Sequence, residues 1–201
     1  MTAKLEHAIR TCLVPCLRED GFAGSGRTFR RVLNGFIEVV NVQGSRYGGE
    51  FAINLGLQPG AIPDVRGNAP DAKKIIEPLC EFRRRLSESG ADQWWKHDAT
   101  AAGMERAVAA AADVYARRGR PILDRMAAAD SPLNTVTAEE FEQGRFDFCG
   151  FGWTHVSMAL ALARLRQVQG RRAEAAAFAR SGLAHLGGAV MLRSELEQLA
   201  K

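Results

Sequence analysis

Apolar residues at Leu5, Ala8, Ile9, Cys12, Leu13, Cys16 and Leu17 recur at the spacing of one helix face, which predicts an amphipathic N-terminal helix stopped by Gly21. Pro15 falls in its last turns and is expected to kink or shorten it, because proline removes a backbone donor and clashes one turn back. Between Arg27 and Leu57 the pattern becomes strand-like and dense in Val, Ile and Phe, which predicts three antiparallel strands. Asn34-Gly35 supplies the two positive-φ positions of a type I′ hairpin, and placing Leu33 opposite Phe36 fixes the register. Arg31 then faces Glu38 and Phe29 faces Val40 on one side, while Val32 faces Ile37 and Arg30 faces Val39 on the other. Phe51, Ile53, Leu55 and Leu57 alternate with smaller or polar residues as a third strand.

The rest of the pattern is coarser. Pro59 to Pro70 reads as a surface loop, and Leu79 to Leu86 fits either a helix or a strand. Beyond Trp94-Trp95 the chain turns alanine-rich and helical. Thr100 or Asp98 is suited to cap a helix ending at Gly119, Pro121 to start a short one, and Thr137 with Glu140 to form a capping box. Three more helices are expected from about Gly152, broken at Gly170 and at Gly187-Gly188.

The 201 residues are 46% hydrophobic and 25% charged, which excludes wholesale disorder and suits one domain with an appendage. No run approaches the length of a membrane span, and Met1 to Arg10 mixes Lys4, Glu6, His7 and Arg10 where a signal peptide needs an apolar stretch, so a cytoplasmic protein is expected. Cys12, Cys16, Cys80 and Cys149 are too few and scattered for a disulfide framework and are expected as free thiols. The net charge of +4 is split along the chain: residues 1–90 carry 13 basic against 10 acidic side chains and residues 149–201 carry 7 against 3. That division argues against a dedicated nucleic-acid surface without removing the option.

Several constellations invite chemistry, each with a plainer alternative. Cys149 precedes a predicted helix start with His155 six residues on, a pairing a nucleophilic thiol would use, although a small buried cysteine is the commoner use. Cys12 and Cys16 share a helix face, and His7, His97, His155 and His185 are dispersed, so neither makes a metal-ligand spacing and no metal or cofactor is expected. Gly21 to Gly26 lacks the Lys-Ser/Thr and the strand-to-helix context of a phosphate loop. By strand alternation Asn41 and Gln43 share a face to which Asn54 and Arg46 can add, the floor of a polar pocket or simply a solvated sheet face. Arg84, at the centre of Arg83-Arg84-Arg85, is suited to a phosphate or carboxylate, and Trp94 with Trp95 to a partner or a base.

In order and spacing, Gly21-Phe22, Thr28 to Arg31, Asn41 to Ser45, Phe51 to Gly56, Cys80 to Leu86 and Trp94-Trp95 resemble the bacterial family known as domain of unknown function 4304, over about residues 5–125. The resemblance implies that Leu79 to Leu86 holds a fourth strand and carries over no activity, cofactor or catalytic residue. Ala159 to Leu186 resembles a single tetratricopeptide hairpin, which cannot bury its own core and is expected to pack on the sheet part or on a second copy. The expectation is an α+β chain: an N-terminal helix and an antiparallel sheet of three to four strands in residues 1–130, then a helical extension over 131–201. A noncatalytic binding or protein-interaction module is expected, acting on a protein partner or as a homodimer and not on a membrane. The alternatives are a nucleic-acid or phosphate-ligand binder and a Cys149/His155 enzyme.

Overall fold

The computed structural model describes residues 2–98 and 100–201. The chain opens with helix α1 (Thr2–Ala8), a π turn (Ile9–Leu13) and helix α2 (Val14–Glu19). Pro15 does not end the helical path: the N–H of Val14 reaches back five residues to the carbonyl of Ile9, and Pro15 falls in the first turn of α2, where its missing donor has no helical partner to lose.

Strands β1 (Ala23–Ser25), β2 (Thr28–Leu33), β3 (Phe36–Gly44), β4 (Glu50–Pro59) and β5 (Phe82–Arg85) form an antiparallel sheet in sequence order, and β6 (Trp95–Lys96) pairs with β4 to make six strands where three or four were expected. The additions are short segments at the edges, β1 and β6, too brief to show a period. The hairpin register is the one the turn chemistry dictates: Leu33 opposes Phe36 and Arg31 opposes Glu38, with Asn34 and Gly35 both at positive φ. The ambiguous segment divides into a 3-10 turn (Glu77–Leu79) and β5, which opposes Asn54 to Leu57.

Helix α3 (Ala101–Val114) is capped by the Thr100 hydroxyl and runs through a π turn (Tyr115–Gly119) into α4 (Arg120–Met126). Gly119 therefore does not stop a helix. Its missing side chain makes room instead, since a Cβ there would lie 2.8 Å from the Tyr115 ring. Short helices α5 (Pro132–Thr135) and α6 (Ala138–Glu142) follow, the latter with the expected capping box of Thr137 and Glu140. The chain closes with the hairpin α7 (His155–Val168) and α8 (Arg172–Ala184), a 3-10 turn and α9 (Arg193–Leu199). Among the described residues, no helix is long and apolar enough to cross a membrane.

One face of the sheet, carrying Phe29, Val40, Ile53, Leu55 and Phe82, belongs to a continuous hydrophobic cluster. The cluster runs from Leu5 and Leu17 through Val108 and Tyr115 to Leu160, Phe178 and Leu196, so the N-terminal and C-terminal parts share one core. The opposite face is covered over only part of its area. The segment after β4, expected as a plain surface loop, is pinned by fully buried Gln58, whose Nε2 donates to the carbonyls of Pro59, Ile62 and Pro63 and whose Oε1 accepts from the Glu81 N–H. It folds back so that Ile37, Val39, Ile75 and Cys80 make a second, smaller core.

Candidate functional site

What the pinned segment leaves open is the other half of that outer face, and strand alternation decides which side chains stand on it. Asn41 opposes Asn54 across β3 and β4, and Asn54 opposes Arg85 across β4 and β5. The Asn54 amide donates to Gln43 Oε1 at 2.8 Å, and Arg85 donates to Asn54 Oδ1 at 3.2 Å and to Gln43 Oε1 at 3.4 Å. Asn41 turns its amide to the Thr28 hydroxyl at 2.9 Å and the Arg27 carbonyl. Gln43 and Asn54 of the expected polar floor thus join Arg85 in one hydrogen-bonded row, and Asn41 shares their face but is tied instead to Thr28 and Arg27.

Arg84 does not join it. With the same parity as buried Phe82 and Leu86 it points to the core side, where it bonds the Cys149 carbonyl, and on the outer face stand Arg85, which bonds the polar row, and Arg83 beside Gly56. Each has an indole and a carboxylate of its own. Arg85 lies 4.6 Å from the Trp94 ring centroid and 2.7 Å from Asp92; Arg83 lies 5.1 Å from the Trp153 centroid and binds Glu77 through two nitrogens at 2.7 and 3.3 Å. The tryptophan pair is divided: Trp95 is buried and stacked on Phe51 at 5.8 Å, while Trp94 stays at the surface beside Arg85. Trp153, 61% exposed, had no sequence signal; it reaches the face because Gly152 makes a β-bridge to Arg83. Arg46 sits on the loop between β3 and β4 and stacks on its own neighbour, Tyr47.

Past Arg83 and Trp153 the face descends into a cleft of about 190 Å³ against α7, lined also by Pro78, Glu81, Ser157 and Arg164. Glu81 is buried there; burial is the main force that pushes its carboxyl up to about 7, while Arg164, which donates to it at 2.8 Å, pulls it down. Arg164 is also held bidentately by Glu195, at 2.6 and 2.7 Å.

The thiol candidate has the wrong electrostatics and the wrong neighbours. Cys149 and Gly150, both at positive φ, are the central residues of a tight turn closed by the Phe151 N–H on the Phe148 carbonyl, a turn that meets Arg84 rather than a helix start. Burial and Asp147 push the Cys149 thiol up, away from thiolate. His155 begins α7 and bonds Ser181 at 2.9 Å, on the hairpin side of the molecule. The histidines dispersed along the sequence are partly gathered by the fold, since His155 and His185 lie at the same end of the α7–α8 hairpin with Glu142 between them.

A family model described as a domain of unknown function (DUF4304) matches residues 13–124, more than half of the chain. No curated protein and no solved structure matches the chain.

Proposed function

The chain belongs to the family described as a domain of unknown function (DUF4304), and from the geometry above we propose that it is a noncatalytic binding module that takes a protein partner on the open half of the outer sheet face. The observation that carries this reading is the pairing of two arginine–indole stacks, Arg85 with Trp94 and Arg83 with Trp153, along β5 beside the amides of Gln43 and Asn54. Tryptophan and arginine are the side chains most enriched where protein interfaces concentrate their binding energy.

Charge balance favours a polypeptide over a polyphosphate. Glu77 neutralises Arg83 and Asp92 neutralises Arg85, so the face presents planar hydrogen-bonding groups and rings with little uncompensated positive field. A nucleic-acid surface relies on the opposite, an excess of cations that releases counterions on binding. A Cys149/His155 mechanism is disfavoured by the burial and the Asp147 charge that push the Cys149 thiol up, and by the Ser181 hydroxyl that His155 bonds instead. Four cysteines held as free thiols support a cytoplasmic setting for this role.

The test is capture of the tagged chain from its host's lysate followed by native mass spectrometry, repeated with Trp94→Ala/Trp153→Ala. The proposal expects a stoichiometric protein, or a second copy of the chain, bound to the wild type and lost from the variant, with equal melting temperatures for the two. Retention by the variant, or material released by nuclease with a steep salt dependence, overturns it.

A further inference from the structure

At the far end of the C-terminal hairpin, three elements bring their side chains to one point. Glu142 is the last residue of α6, His155 the first of α7, and His185 follows the last residue of α8. The His185 Nε2 lies 2.7 Å from one oxygen of Glu142, the His155 Nε2 lies 3.6 Å from the other, and all three ligating atoms fall within 4.8 Å of one another. The Ser181 hydroxyl stands 2.9 Å from the His155 Nε2 and also bonds the Glu142 carboxylate. The two imidazoles are only 4.2 Å apart, centroid to centroid, and the Phe141 ring backs His155 at 4.4 Å.

From this convergence we infer that Glu142, His155 and His185 form a binding site for a divalent transition-metal ion, Zn²⁺ above all. Ligand atoms bound tetrahedrally at about 2.0–2.1 Å from zinc stand roughly 3.3 Å from each other, which the spacings here approach without moving a helix. Two imidazole nitrogens and one carboxylate suit zinc and its neighbours in the transition series, whereas calcium and magnesium prefer oxygen alone. In the loaded site each ring presents its Nε2 lone pair and keeps its proton on Nδ1, and Ser181 holds the carboxylate oxygen that the ion does not use. Three protein ligands leave a fourth position for water. All three side chains are between 29% and 45% exposed, so an ion can enter from solvent. The ion would fasten α6 across the open end of the α7–α8 hairpin.

The experiment uses the whole chain, stripped with chelator and titrated with Zn²⁺ and with Co²⁺ as a spectroscopic substitute. One equivalent of Co²⁺ is expected to give the visible bands of tetrahedral cobalt without a thiolate charge-transfer band, and Zn²⁺ a rise of about 5 °C or more in melting temperature at a hundredfold excess over Kd. His155→Gln and His185→Gln, which keep a donor for Ser181 or Glu142, are expected to fold as the wild type and to lose both signals. Absence of both signals in the wild type overturns the site, as does a thiolate band, which would point to cysteine ligands. Undiminished binding in both glutamine variants overturns it as well.

Discussion

Arg31 shows how a single charged residue can hold a sheet corner. Its guanidinium meets fully buried Glu38 across the hairpin, Asp124 of α4 at 2.6 Å and the Asp20 carbonyl after α2 at 3.0 Å, and it lies over the Phe22 ring. Asp20 in turn receives the Tyr115 hydroxyl and Arg120, both at 2.8 Å. Burying Glu38 is tolerable only while Arg31 is present, so Arg31→Met is expected to cost about 3–5 kcal/mol in urea unfolding, and Arg31→Met/Glu38→Leu to recover most of it. A single variant that loses less than about 1 kcal/mol would show that Glu38 is not dependent on the pair. Glu81 makes a second prediction, in pH. The folded chain holds this proton up to about 7, the unfolded chain only to near 4.5, so the group's stabilising contribution is full below the lower value and is lost as pH rises through the upper one. Glu81→Gln has no such titration. Its stability relative to the wild type is expected to improve between about pH 5 and pH 8, by up to about 3 kcal/mol, and a constant difference across that range would contradict the assignment.

Elements that local rules describe were readable from the sequence, and those set by packing were not. The β2–β3 register needed only Asn34-Gly35 and the pleat, because a one-residue slip would turn every apolar side chain to the wrong face. The same pleat placed Asn41, Gln43 and Asn54 together. It gave no answer at β5, where three successive arginines carry no contrast to show which of them faces in; Arg84 shares the side of Leu55, and Arg83 and Arg85 share that of Asn54. The stop expected at Gly119 failed, while Pro121 does start the short helix expected of it. Pro15 and Pro121 each lie in the first turn of a new helix directly after a π turn, so one widened turn absorbs the missing donor and the helical path continues. Such a turn leaves no mark in hydrophobic spacing. Gly182, in the middle of α8, is likewise explained only by its neighbours: a Cβ there would stand 2.9 Å from Leu196 of α9 and 3.2 Å from Ala159 of α7. Gly182→Ala trades a gain of about 1 kcal/mol in helix propensity against a contact that the end of Leu196 can relieve, and its melting temperature is expected to stay close to the wild type's. Gly182→Val has no such relief and is expected to cost about 1–3 kcal/mol; equal melting of the two variants would mean that α9 is not tightly seated.

At the scale of the molecule, the family match ends at residue 124, inside α4, and invites a division between a sheet domain and a helical appendage. The contacts across that division argue for one cooperative unit. Phe148 sets its ring edge-on to Phe82 of β5 at 6.1 Å, the Gly152 N–H donates to the Arg83 carbonyl at 3.2 Å, and Arg164 of α7 reaches Glu81 at 2.8 Å. Arg166 works within the appendage: fully buried, it donates to the carbonyls of Leu133 and Val136 at 2.8 and 2.9 Å and so fixes the segment that leads from α4 to the hairpin. No sequence-local pattern shows that β5 is covered by residues some 65 to 80 positions later. Without residues 131–201 the buried ring of Phe82 would lose its contact with Phe148, and the buried carboxyl of Glu81 would lose its cation. Calorimetry of the full chain is therefore expected to give a single transition, with equal calorimetric and van't Hoff enthalpies. The fragment 1–130 is expected to show no sharp transition and to expose apolar surface to a hydrophobic dye. Two resolved transitions in the full chain, or cooperative melting of the fragment at the full chain's temperature, would instead make the helical part a separate domain, and the cleft at Glu81 a boundary between two bodies.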